Sequence, residues 1–133
     1  MGSGNIVHNL SMVNFSEGAK PFDWALEFDE KARGLIETGN HTSLIEYHTL
    51  GESAKLAIPT PDHYYPFLYT LGLQDSEDQA SFPVTGLPHS SISMRSVKFG
   101  WKVFILHSWD PKHLLYFSYA WKWHRKTNIL SIS

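Results

Sequence analysis

The sequence contains no cysteine among its 133 residues, which excludes a disulfide framework, a thiolate metal site and a cysteine nucleophile. It also contains no apolar run of the roughly 18 to 20 residues that a membrane helix needs. A net charge of −2 gives no electrostatic basis for binding nucleic acid. No basic segment followed by an apolar stretch opens the chain. We therefore expect a cytoplasmic protein without a nucleic-acid or membrane partner.

The short motifs of several common enzyme classes are missing as well. The chain has no G-x-G-x-x-G, no phosphate-binding P-loop, no G-x-S-x-G nucleophile elbow and no H-E-x-x-H zinc motif. If the protein binds a metal, its ligands must therefore come from positions that are far apart in the sequence.

What the chain does have is enough apolar sequence for a buried core, with a sharp change of composition near residue 100. Hydrophobic residues make up 42% of the chain and charged residues 18%. Residues 1–100 carry twelve acidic and six basic side chains, whereas residues 101–133 carry one acidic and five basic ones. The second part also holds four of the five tryptophans and no glycine. This contrast predicts two parts of different origin.

Three helices are predicted before residue 60. Apolar residues recur at helical spacing over residues 22–38, and Gly39 stands where a glycine commonly follows a helix. A second helix is predicted over residues 43–50, ended by Gly51. Residues 52–57 are expected to add one more turn.

Strands are predicted at residues 3–7, 82–84 and 91–99, the last with a bulge, because β-branched and aromatic residues cluster there. Asp29 and Glu30 are interpreted as part of a solvated helix face. The acidic stretch over residues 73–81 is interpreted as a loop. In such an α/β arrangement the sheet is flanked by helices.

His63 is a candidate metal ligand. Thr60 is predicted to cap a helix that has Pro61 in its first position and Gly72 at its end. Pro66 is expected to cause a kink or a first turn with tight geometry. His63 then falls in the first turn, where the helix dipole disfavours imidazolium and favours the neutral ring that a metal requires. The alternative is a surface or capping histidine.

His8 is the second candidate. It follows a short apolar stretch and is flanked by Asn5 and Asn9, so it would lie at the end of a strand, where α/β folds place their sites. The alternative is a histidine that is hydrogen-bonded in a loop. Three further histidines of this part carry weaker signals; they are His41, His48 and His89.

Two segments resemble a known enzyme family. Residues 3–10 read SGNIVHNL and residues 58–72 read IPTPDHYYPFLYTLG. They are similar to the S-G-N-x-x-H-N-L and P-T-P-[ED]-H-[YF]-x-P-L-x-Y-x-L-G patterns of the 4,5-DOPA extradiol dioxygenases, which are class III ring-cleavage enzymes. The stretches FDWA at residues 22–25 and SISMRSV at residues 91–97 are also similar to that family.

The resemblance implies that residues 1–100 are the C-terminal part of a single-domain α/β sheet flanked by helices. The family's H-G-S-P loop and D-H-G-x-W segment do not occur in this chain. The aromatic and basic tail, residues 101–133, has no counterpart in the family, which favours read-through or a frameshift as its origin. The alternative for the tail is a segment that binds a membrane surface.

The resemblance also implies a function and a site. The family cleaves the ring of a catechol, such as DOPA, with O₂ and a divalent metal. His63 matches a metal ligand, and His8 matches either a further ligand or the acid–base residue. Tyr64 follows the ligand and either contacts the substrate or belongs to the core. Family descriptions name zinc, but zinc has no redox chemistry, so O₂ activation through the metal argues for Fe(II).

Two histidines are fewer than the three protein ligands of a typical open catalytic site. We therefore expect the chain to be a truncated dioxygenase that is inactive alone, with a homo-oligomer left open. The alternatives are a non-catalytic binding remnant of the same fold and a zinc hydrolase on an unrelated α/β sheet.

Overall fold

The structure is a computed structural model that describes residues 2–100. The predicted tail, residues 101–133, lies outside the described residues, so its assignment and the boundary at residue 100 stay predictions. The described part contains four α-helices and two short strands. They are α1 (Asp23–Glu37), α2 (His41–Ile45), α3 (Glu52–Ala57), α4 (Tyr65–Leu71), β1 (Gln79–Ser81) and β2 (Lys98–Gly100).

Helix α1 is the longest element, and it confirms the helix predicted over residues 22–38. Its apolar residues at helical spacing form a stripe that is buried against α3 and α2. Gly39 follows the helix with a φ of +67°, a left-handed conformation that glycine adopts without steric cost. The buried residues of the stripe are Ala25, Phe28, Ala32 and Ile36.

The helix predicted over residues 43–50 is wrong in its continuity, because the segment forms α2 followed by a separate 3₁₀ turn over Tyr47–Thr49. The side chain of Asn40 accepts a hydrogen bond from the backbone N–H of Ser43, which starts α2 two residues earlier than predicted. Glu46 then leaves the helical conformation with a ψ of +33°. The predicted extra turn is confirmed as α3.

Helix α4 begins at Tyr65, four residues later than the start at Pro61 that a cap at Thr60 would give. The carbonyl of Pro61 accepts hydrogen bonds from the N–H groups of Tyr64 and Tyr65, at 3.0 and 2.9 Å, and closes a turn there. Pro66 has no N–H, so it is accommodated in the first turn of α4 rather than in a helix interior. His63 therefore precedes the helix, and the argument from the helix dipole does not apply to it.

The strands are shorter than predicted. β1 pairs antiparallel with β2, with Ala80 opposite Phe99. The strand predicted over residues 82–84 is wrong by three positions, because Pro83 cannot donate a ladder hydrogen bond. No regular strand forms over residues 3–7; only the adjacent His8 makes an isolated bridge, to Ile92. Of the strand predicted over residues 91–99, that bridge and the beginning of β2 remain. The α/β class itself is confirmed.

The interpretation of Asp29 as a solvated residue is also wrong. Asp29 is buried, and its carboxylate accepts hydrogen bonds from the guanidinium of Arg95 and from the hydroxyl of Ser93. Such a partner makes burial of a charge tolerable. Among residues 2–100, no helix combines the length and the apolar character that crossing a bilayer requires.

Candidate functional site

The two candidate histidines lie together. The imidazole rings of His8 and His63 stack with their centroids 3.7 Å apart and an angle of 19° between their planes. Both side chains are partly exposed, so a ligand from solvent can reach them. The fold thus brings the two rings to one place. His8 forms only an isolated β-bridge, and His63 lies in a turn.

His8 is held by its backbone and by its neighbour. Its N–H donates to the carbonyl of Ala57 at 2.8 Å. The side chain of the adjacent Asn9 donates to the carbonyl of Leu56, also at 2.8 Å, and the N–H of Asn9 donates to Ser91 at 3.2 Å. These bonds fix His8 between the end of α3 and the segment around Ser91.

His63 is held through its carbonyl oxygen, which accepts a hydrogen bond from the N–H of Asn5 at 2.8 Å. Gly4, the residue before Asn5, packs directly against the same His63 carbonyl. A Cβ atom at position 4 would overlap with that carbonyl. The first motif (residues 3–10) therefore contacts the second motif (residues 58–72) at His63, two residues before α4 begins. Gly4 was not among the sequence-predicted site residues, and Asn5 was noted only as a neighbour of His8. Their place in the SGN segment shortly before His8 was a usable signal.

The electrostatic environment favours a neutral His8. Burial lowers the pKa of its imidazole, proximity to His63 lowers it further, and the carboxylate of Asp62 opposes both by raising it. Asp62 lies beside His63, with 3.4 Å between its Oδ2 and the Nε2 of His63. The pKa of Asp62 is lowered, first by a hydrogen bond from Thr60 and also by the two histidines.

Tyr64 lies in the core. Its side chain is 1% exposed, and its hydroxyl donates to the carbonyl of Leu44 at 2.9 Å. Burial raises the pKa of this phenol. Its ring also packs against Tyr47 and Phe67. This environment agrees with the interpretation of Tyr64 as a core residue.

The donor set fits a divalent metal in part. Two adjacent imidazoles, one of them favoured in its neutral form, are suitable nitrogen ligands. Within residues 2–100, no group of three or more histidine and carboxylate side chains is arranged to hold a metal ion. Two clefts lie beside α4 and the segment Gly2–Gly4, and neither of these clefts is lined by His8 or His63.

Comparison with known proteins agrees with the resemblance of the motifs. The chain is similar to the 4,5-DOPA dioxygenase extradiol of Escherichia coli K12, with 36% identity over 105 residues. That match covers 75% of this chain and 38% of the relative. The protein of the same name from Portulaca grandiflora is 29% identical over 74% of this chain and 36% of its own length. The one from Beta vulgaris is 28% identical over 74% of this chain and 37% of its own length.

The fold of the chain is also similar to that of a solved structure. A crystal structure of an uncharacterized protein from Escherichia coli K12 matches with a TM-score of 0.65 and 36% identity, covering 71% of this chain and 40% of that chain. No protein-family model matches the chain. The chain spans less than two fifths of the length of the curated relatives it matches. By its similarity to these curated relatives, this chain belongs to the 4,5-DOPA extradiol dioxygenase family and corresponds to a part of its members.

Proposed function

We propose that the chain is part of a metal-dependent extradiol dioxygenase that opens the ring of a catechol such as DOPA. The observation that carries the proposal is the stacking of His8 on His63, with ring centroids 3.7 Å apart, in a chain of this family. Imidazoles from two distant motifs have no structural need to meet on a partly exposed surface, whereas a shared ligand gives them one.

In this proposal His63 is a metal ligand, and the metal is zinc or Fe(II). When bound, the metal supplies positive charge and orientation for the two catechol oxygens and for O₂. The imidazole of His63 needs only a free nitrogen lone pair for this role. Its carbonyl, anchored by Asn5, leaves the ring free to turn toward a ligand.

His8 is assigned either a second ligand position or an acid–base role. The lowered pKa of His8 keeps its ring neutral at neutral pH, which both roles require. As a base, the ring nitrogen would accept a proton from a catechol hydroxyl and become imidazolium. Asp62, which raises the pKa of His8, would stabilise that imidazolium.

The same arrangement explains why we propose that the chain is inactive alone. An open catalytic metal site typically has three protein ligands, and the described residues bring only two imidazoles together. Because the relatives are more than twice as long as the matched region, the remaining ligands belong to the part that this chain does not match.

The second candidate function is a non-catalytic binding module of the same fold. It is favoured by the incomplete set of ligands within residues 2–100. Under this alternative the two imidazoles retain a weak affinity for metal, but no catechol is cleaved in any context.

A chimaera separates the two candidates. The matching part of the Escherichia coli relative is replaced by residues 3–100 of this chain, and cleavage of DOPA is followed through O₂ consumption and product absorbance. We expect activity in the chimaera and its loss on His8→Ala or His63→Ala, with His48→Ala as the exposed-histidine control. A folded chimaera that binds zinc but never consumes O₂ would instead establish the binding module.

A further inference from the structure

The main chain of His63 is fixed by two consecutive residues of the first motif. The N–H of Asn5 donates to the His63 carbonyl at 2.8 Å, and the α-carbon of Gly4 packs against the same oxygen. His8 follows three residues after Asn5 on the same segment. The contact therefore links the backbones that carry the two stacked rings.

Gly4 is required for space rather than for backbone conformation. Its φ is not in the left-handed region, but an added Cβ would overlap with the His63 carbonyl and crowd the ring of Pro66 at 3.3 Å. Two other glycines differ in this respect. A Cβ at Gly34 meets nothing within 4 Å, and a Cβ at Gly72 makes ordinary contacts at 3.6 Å.

The side chain of Asn5 anchors this contact to the rest of the fold. Its amide nitrogen donates to the carbonyl of Ser93 at 2.7 Å. The hydroxyl of Ser93 in turn donates to the carboxylate of Asp29 on α1 at 2.6 Å. A continuous series of hydrogen bonds thus runs from α1 through Ser93 and Asn5 to the backbone of His63.

We propose that Gly4 and Asn5 are positioning residues, which set the separation of the His8 and His63 rings by holding the carbonyl of His63 against the segment that carries His8. The use of that separation for metal binding rests on the function proposed above. The positioning itself rests on the contacts alone, because neither residue points a side-chain donor at either ring.

The test compares Gly4→Ala with Gly72→Ala in the full 133-residue chain. Nuclear magnetic resonance of the histidine rings reads the stacking directly, because each ring shifts the resonances of the other. Gly4→Ala is expected to abolish these mutual shifts and to weaken Zn²⁺ binding at least tenfold, while Gly72→Ala changes neither. A folded Gly4→Ala variant with the shifts and Zn²⁺ affinity of the parent chain would overturn the proposal.

A second pair of variants keeps the test decisive if Gly4→Ala does not fold. Asn5→Ala removes the one hydrogen bond to Ser93 but keeps the backbone bond to His63, and Asn40→Ala removes a comparable side-chain bond far along the chain, at the start of α2. We expect partly reduced ring shifts for Asn5→Ala and parent shifts for Asn40→Ala. Equal spectra for both variants would refute a positioning role.

The two readouts also separate this proposal from the proposed function. If the parent chain does not bind Zn²⁺ but Gly4→Ala still loses the ring shifts, the positioning is correct and the metal site is wrong. If Zn²⁺ binds to the parent and to Gly4→Ala alike, with unchanged ring shifts, the metal site stands and the positioning fails.

Discussion

The guanidinium of Arg95 is paired with the carboxylate of Asp29, and both side chains are only 3% exposed. Asp29 lies on α1, whereas Arg95 lies in the segment that leads to β2. The same carboxylate accepts a hydrogen bond from Ser93, whose carbonyl binds Asn5. Through Ser93 and Asn5, this buried ion pair therefore helps to hold the segment that carries His8 in place.

Replacing Asp29 by alanine is expected to destabilise the fold by about 3 to 5 kcal/mol, because Arg95 would be left as a buried charge without its main partner. Chemical denaturation measures the change. The exposed pair of Arg33 and Glu37 provides a control, since Glu37→Ala removes an ion pair at 3.1 Å that solvent already screens. A loss for Asp29→Ala no larger than for the control would contradict a structural role for the buried pair.

Replacing Tyr64 by phenylalanine is expected to lower the unfolding free energy by about 1 to 3 kcal/mol, because the buried carbonyl of Leu44 loses its donor. Tyr69→Phe is the control, since Tyr69 is 79% exposed. In the chimaera, the KM for the catechol should stay unchanged in Tyr64→Phe. A clear rise of KM without loss of stability would assign Tyr64 to the substrate instead of the core.

Acid is expected to destabilise the chain through His8. The pKa of His8 is lowered in the fold from its ordinary value of 6.5, so the unfolded chain binds this proton first. The contribution of His8 to the free energy of unfolding should therefore be constant above about pH 6.5. Below that pH it should fall, until the pH reaches the lower pKa that His8 has in the folded chain.

His8→Gln should remove that part of the pH dependence, and Asp62→Asn should enlarge it, because Asp62 is the group that raises the pKa of His8. His63, whose proximity lowers the pKa of His8, is retained in both variants. Denaturation at a series of pH values measures the slope. An identical slope in the parent chain and in His8→Gln would show that another group is responsible.

Zinc is expected to stabilise the chain if the stacked imidazoles are ligands, because a ligand that binds only the folded state raises the melting temperature. Thermal melts with added Zn²⁺, and again after a chelator, should show a rise that is lost in His8→Ala and His63→Ala. His41→Ala is a suitable control, since the His41 ring is hydrogen-bonded to Gln74. Equal zinc-induced shifts in all four proteins would place the binding elsewhere.

Local sequence predicted the elements whose formation depends on near neighbours. Helix α1, the glycine that ends it, the turn of α3 and the end of α4 at Gly72 follow from apolar spacing and capping, which act within a few residues. The start of α4 was missed because two local effects compete. The capping preference of Thr60 is outweighed by the missing N–H of Pro66.

The strands and the buried charge depended on partners far along the chain. β1 is only three residues long, and its position is set by pairing with β2 rather than by its own polar sequence. The sequence around Asp29 is that of a solvated helix residue. Its burial is favourable only because Arg95 and Ser93, which are distant in the sequence, donate hydrogen bonds to its carboxylate. No periodicity in the sequence records those partners.

The sequence by itself determined the family and the two histidines to examine, because its motifs retain the residue types that the chemistry needs. Only the tertiary structure decided that the two rings stack, that the main chain of His63 is held by Gly4 and Asn5, and that Tyr64 packs in the core. The physical reason is that such contacts join residues distant along the chain. The distances and the burial of these contacts are set only when the chain folds, and the identities of the residues alone do not specify them.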